Sequence, residues 1–218
     1  MLSPPMHMTA KSSYNLSFTA ASLRPELVRI MAEGYLATGD WDLNKSRILS
    51  TNALQCRNAN SAIRLERELR NRLRTLTDDQ LTLAAQATAE DRAAIAWLAS
   101  CKHIPFAFEF AADVLRDKLA AHDTILRHSD YETYVETKSF AHPELAALTK
   151  SSKNKVRQVL LRMLTEAGLL AGGADLGVIQ RPVLSPKVIG AVVADSPHWL
   201  AGFLIANAEI SSHKKPSK

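Results

Sequence analysis

Cysteine is nearly missing from this chain. Cys56 and Cys101 are the two it has, with no CxxC spacing and no secretory context, so the expectation is reduced thiols in a cytoplasmic protein. Glycine and proline are scarce, at eight and nine in 218 residues, while alanine and leucine abound, a balance that favours helix over sheet. Phosphate loops of the GxGxxG or GxxxxGK[ST] kind are absent, as are HExxH and a GxSxG elbow. The seven histidines are scattered, and the closest two, His122 and His128, stand six apart, which does not place them on one helical face for a metal. Carboxylate pairs such as Asp78 with Asp79, or Asp113 with Asp117, fit helix caps and helix surface. The expectation is a protein that is not an enzyme, with no cofactor and no metal.

Long apolar runs are few as well. Val188 to Ala206 is mostly apolar over 19 residues, close to the length of a membrane span, but Asp195, Ser196, Pro197 and His198 interrupt its middle. Ser196 reads as an N-cap with Pro197 at the first helical position, which predicts two short buried helices and no membrane contact. Residues 1–13 are polar and Pro-containing without an apolar signal core, and read as a disordered arm. Residues 211–218 form a basic tail.

What is present is an ordinary globular composition, 46% hydrophobic and 22% charged, with length for one large or two small domains. The net charge of +5 is unevenly spread: residues 1–140 hold 17 basic and 17 acidic side chains, and residues 141–218 hold 10 and 5. The whole excess therefore lies in the last third, which points to an anionic partner there.

Residues 14–139 read as an all-helical domain of about seven helices with no alternating strand pattern. Arg24-Pro25-Glu26 opens a helix that Thr38-Gly39-Asp40 ends, and Asp42 is placed to cap the next, with Trp41 beside it. Thr77 to Gln80 and Ser129 to Glu132 both match a capping box, and Phe106, Phe108, Phe110, Val114 and Leu115 read as core. Over residues 60–76, Ala62, Leu65, Leu69, Leu73 and Leu76 make one apolar stripe. Arg64, Arg67, Arg70, Arg72 and Arg74 fall on the other faces, relieved by Glu66 and Glu68 alone. A solvated helix with local ion pairs explains that face; the sharper alternative makes Arg64, Arg67, Arg70 and Arg74 a secondary nucleic-acid contact.

Residues 140–210 read as a winged helix-turn-helix followed by two short C-terminal helices. Pro143 starts a short helix with Leu145, Ala146 and Leu148 on its buried side. Ser151 or Ser152 caps a longer one, whose inward stripe is Val156, Val159, Leu160, Met163 and Leu164. Its free N–H groups suit a phosphate, and no acidic side chain lies between Glu144 and Glu166. Asn154, Arg157 and Gln158 have the hydrogen-bonding groups to read base edges, whereas Lys150, Lys153 and Lys155 suit phosphates. Gly168 ends the helix, and Leu169–Ala171 pairs with Val178–Leu184 as the wing, with Arg181 able to reach a flanking phosphate. Winged helices also dock proteins, so the pattern leaves nucleic acid and protein partners both open.

Three stretches resemble the BrxA family of bacteriophage-exclusion (BREX) defence systems: EGYLATGDWD (Glu33 to Asp42), AIAWLASCKHIPFAFEFAADVLRDKL (Ala94 to Leu119) and SSKNKVRQVLLRMLTEAGLL (Ser151 to Leu170). The likeness spans roughly residues 14–210. It implies a helical, DNA-binding accessory protein without a catalytic motif; with the charge of the last third, the expected partner is double-stranded DNA, and an adaptor that docks other BREX proteins is the alternative. It also implies an N-terminal domain similar to the antitermination factor NusB, which leaves RNA as an alternative ligand.

Overall fold

The computed structural model describes residues 13–173 and 175–213, so residues 1–12 of the expected arm and 214–218 of the expected tail lie outside the described residues. Helix starts follow local capping chemistry. α1 (Pro25–Thr38) has Pro at its first position and ends at Gly39, which takes the left-handed conformation. α2 (Trp41–Ser50) corrects the expected cap: the Asp40 carboxylate, not that of Asp42, accepts from the N–H groups of Asp42 and Leu43. Trp41 is thereby the first helical residue, stacked on Tyr35 at 4.1 Å between ring centroids. α3 (Ala59–Leu73) is capped by Asn58. α4 (Asp78–Gln86) carries the Thr77–Gln80 capping box, and Thr88 caps α5 (Ala89–His103).

Pro105 opens a continuous helical rod: α6 (Pro105–Glu109), a π-helical segment (Phe110–Leu115) and α7 (Arg116–Ala120). Phe106, Phe110 and Leu115 on that rod are fully buried. A strand, β1 (Ile125–Leu126), then interrupts the stretch expected to be wholly helical. Two residues are too few to show alternation, so no pattern announces it. α8 (His128–Ser139) follows, and its start also differs from expectation: Asp130 accepts from the Arg127 N–H at 2.7 Å, so Ser129 lies inside the helix and is not its cap.

α9 (Pro143–Ala146) and α10 (Lys150–Glu166) lead to β2 (Leu170–Ala171) and β3 (Gly177–Ile179). The three strands form one antiparallel sheet in the order β1-β3-β2, with Leu170 opposite Ile179 and Leu126 opposite Gly177. The hairpin expected across 172–175 is present with shorter strands. Gly177 has φ +134, and a Cβ there would lie 2.6 Å from the Ala171 carbonyl oxygen, so the tight return to β2 requires glycine.

The apolar segment near the C-terminus divides as its sequence predicts, into α11 (Pro186–Asp195) and a 3-10 helix (Pro197–Phe203) whose cap, Ser196, accepts from the His198 N–H. α12 (Asn207–Ser212) completes the described chain. These elements fold back on the first half. Trp97, wholly buried, donates from Nε1 to the Gly202 carbonyl at 2.8 Å, and Gln80 donates to the Ala191 carbonyl at 2.9 Å. One apolar cluster consequently runs from Tyr14 to Ile210. Among the described residues no helix is long and apolar enough to cross a membrane. The fold is mainly α.

A strap formed by residues 13–24, including a 3-10 turn (Ser17–Ala20), ties α3 to α10. From one side Arg72 donates to the carbonyls of Phe18 (3.2 Å), Ala21 (2.8 Å) and Ser22 (2.8 Å), while its Nε meets Glu68 at 2.8 Å. From the other side Glu166 accepts from the Ser22 hydroxyl at 2.9 Å and the Leu23 N–H at 2.7 Å. The sequence pattern puts Arg72 and Glu68 on a solvated face; both are in fact buried. The strap covers that face of α3, and its backbone carbonyls satisfy the guanidinium that burial would otherwise leave without water.

Candidate nucleic-acid interface

α10 begins at Thr149, whose hydroxyl accepts from the Ser152 N–H at 3.2 Å. Ser151 and Ser152, expected as caps, instead lie in the first turn, two and three residues past the cap position. The inward stripe of Val156, Val159, Leu160, Met163 and Leu164 is buried as the spacing requires. That burial fixes the rotation of the helix. Lys150, Ser151, Lys153, Asn154, Lys155 and Gln158 consequently face solvent, with Ser152 half-buried.

The charge placement opposes the helix's own electrostatics. The N-terminus of a helix carries a partial positive charge, and α4 and α5 answer it with Asp78, Asp79, Glu90 and Asp91 in their first turns. α10 has no acidic residue in its first turn and places Lys150 there instead, with Lys153 and Lys155 immediately after. Among the described residues none of these three lysines pairs with a carboxylate. A cation so placed costs the helix roughly 0.3–1 kcal/mol that an anion from outside would return.

The predicted residues divide between two flanks. Lys150, Ser151, Asn154, Lys155 and Gln158 line a shallow depression of about 440 Å³ on the solvent side. Lys153, Asn154 and Arg157 border a second hollow of about 400 Å³, walled by α8 and α9. Arg157 is held there, its guanidinium 3.0 Å from His128 Nδ1 and 3.7 Å from a Glu132 carboxylate oxygen. The hairpin tip is anchored beside it, because Asp175 accepts from the His128 backbone N–H at 3.2 Å. Arg181 does not join this group. It lies near the Glu166 end of α10 and pairs with Glu209 at 3.3 Å.

The arginines of α3 separate in the same way. Arg70 pairs with the buried Glu66 at 2.7 Å, and Arg74 sits exposed at the helix's C-cap. Arg64 and Arg67 project instead into a groove of about 760 Å³ whose far side is Lys155. Ser61 and Asn71, which the sequence reading did not single out, share that wall; helical spacing from Arg64 was the available signal. Among the described residues no group of three or more His, Cys, Asp or Glu is arranged to hold a metal ion.

Comparison with known proteins agrees with this architecture. A solved structure of an uncharacterized protein from Magnetospirillum magneticum superposes with a TM-score of 0.74, covering 88% of this chain and 98% of that one at 20% identity, which shows a shared fold. The BREX protein BrxA of Escherichia coli O9:H4 (strain HS) is 30% identical over 140 residues, which is 64% of this chain and 66% of that relative's length. The BREX protein BrxA of Bacillus cereus (strain H3081.97) is 26% identical over 145 residues, 66% of this chain and 72% of the relative. The BrxA family model matches residues 12–195, nearly the whole of the described structure, and the chain belongs to the BrxA family.

Proposed function

We propose that this protein is a non-enzymatic DNA-binding component of a BREX phage-defence system, gripping duplex DNA mainly by its phosphate backbone through the first turns of α10. The observation that carries the reading is the run of lysines at a helix N-terminus, without carboxylate partners among the described residues, against the helix dipole and with no acidic side chain between Glu144 and Glu166. The names of the curated relatives support the BREX assignment. The order β1, α8, α9, α10, β2, β3, with β3 between the other two strands, supports a winged helix-turn-helix reading in which α10 enters the major groove and the hairpin is the wing.

The test is binding of a labelled duplex of about 20 base pairs, followed by fluorescence anisotropy across a salt series. Neutralising ~3–5 phosphates gives a slope of log K against log salt of about −3 to −4.5. K150E/K153E/K155E abolishes binding with helicity unchanged. Tight binding indifferent to salt, or none at low salt, sinks the reading. Single-stranded RNA competes weakly; RNA binding that outlasts duplex binding reassigns the ligand.

A second reading, a docking adaptor for other BREX proteins, is favoured by Phe140, which is 87% exposed at the turn between α8 and α9. Capture of another BREX protein at high salt without nucleic acid, lost in F140S, distinguishes it.

A further inference from the structure

Four arginines stand within α3, and two of them have partners: Arg70 with Glu66 and Arg72 with Glu68. Arg64 and Arg67 have none among the described residues. The reason lies in the fold. Arg64's acid at the i+4 position is Glu68, which is buried and already joined to Arg72. Arg67 has Arg64 and Arg70 as its i−3 and i+3 neighbours, so its surroundings on the helix are of its own sign. Like charges at neighbouring helix positions destabilise a helix, so this face gains from an anion supplied from outside.

Both guanidinium groups border the 760 Å³ groove that Lys155 closes from the α10 side, more than 80 positions away in the chain. Lys155 also belongs to the depression that holds Lys150, Asn154 and Gln158. The cations therefore form one track, running about 7.5 Å along α10 from Lys150 to Lys155 and then crossing to α3. The floor between the helices is the strap, with Asn15, Ser17 and Thr19, and the one carboxylate in the lining, Glu68, is neutralised by Arg72. Because Arg72 and Glu166 clamp the strap from opposite sides, the width of the groove is set before any ligand arrives.

We infer that Arg64, Arg67 and Lys155 form a second phosphate-binding groove, which takes the sugar-phosphate backbone of the same duplex that α10 contacts. The inference rests on the duplex-DNA reading of α10. Arginine suits this role because its planar fork donates two parallel hydrogen bonds to a phosphate. The footprint then spans both halves of the chain, and the strap sets the angle between the two contacts.

The experiment is a salt series on duplex DNA for wild type, R64E/R67E, K150E/K153E and the charge-matched control R57E/K187E, whose exposed side chains line neither groove nor depression. R64E/R67E is expected to weaken binding by roughly 10- to 100-fold at 50 mM salt and to flatten the log–log slope by about 1.8, the equivalent of two phosphates. The control changes both by far less. Should the double reversal perturb folding, as judged by circular dichroism, R64Q/R67Q removes the same two charges and gives the same slope change. Affinity and slope of R64E/R67E matching the control, while K150E/K153E loses binding, overturns the groove and leaves the α10 reading intact. Absence of duplex binding by the wild type at low salt overturns both.

Discussion

Replacing Arg72 by methionine removes a buried guanidinium while keeping most of its length. Four hydrogen bonds disappear: one to Glu68 and three to the carbonyls of Phe18, Ala21 and Ser22. Glu68 is left buried without its counter-charge, and breaking a buried pair from one side costs about 3–5 kcal/mol. The carbonyls add less than their number suggests, because the strap can lift and let water reach them. At about 2–4 °C per kcal/mol for a chain of this size, R72M should melt roughly 6–20 °C below wild type. A thermal melt followed by circular dichroism at 222 nm reads this directly. The double variant R72M/E68M removes the stranded carboxylate as well and should recover part of the loss, since an apolar pair of similar volume carries no desolvation penalty. R72M melting within about 2 °C of wild type, or the double variant melting below the single, would refute the account of Arg72 as the clamp on the strap.

Three further outcomes follow from local geometry. T149A removes the side-chain cap of α10 and should cost ~0.5–2 kcal/mol in a urea titration; duplex affinity should fall with it, because the lysines ride on that first turn. G177A forces a Cβ against the Ala171 carbonyl at a φ that L-residues avoid, so it should destabilise by about 1–3 kcal/mol and speed amide exchange in the hairpin. Glu144 is held at about 2, below the ordinary 4.5, by its own backbone N–H first, then by the Tyr14 N–H and His142. Its contribution is therefore complete above pH 4.5 and disappears as pH falls towards 2, so melting temperatures of wild type and E144Q should converge across that window.

Several features of this molecule are legible in the sequence because they are local. Val156 to Leu164 repeat at helical spacing, so the buried side of α10 and the exposure of its lysines follow together. Gly39 after α1, the Thr77–Gln80 box and Ser196-Pro197 each depend on neighbours within a few residues, and the fold uses all of them. Helix starts fall two or three residues before the expected cap where plausible caps compete: Asp40 over Asp42, and Thr149 over Ser151 or Ser152. Which oxygen reaches the open N–H depends on backbone angles that residue types alone do not set.

Fold class and the basic bias of α10 were determined by the sequence, since periodicity, capping and net charge act over a single turn or add along the chain. Tertiary structure alone decided which charges are free. Arg72 and Arg70 look like Arg64 and Arg67 on a helical wheel, yet the strap buries Arg72, Glu66 takes Arg70, and α8 holds Arg157. The strand β1 exists only because β3 supplies its hydrogen bonds. The groove between Arg64 and Lys155 likewise comes from α3 and α10 both packing on the strap, which brings together residues too distant in the chain for spacing to reveal.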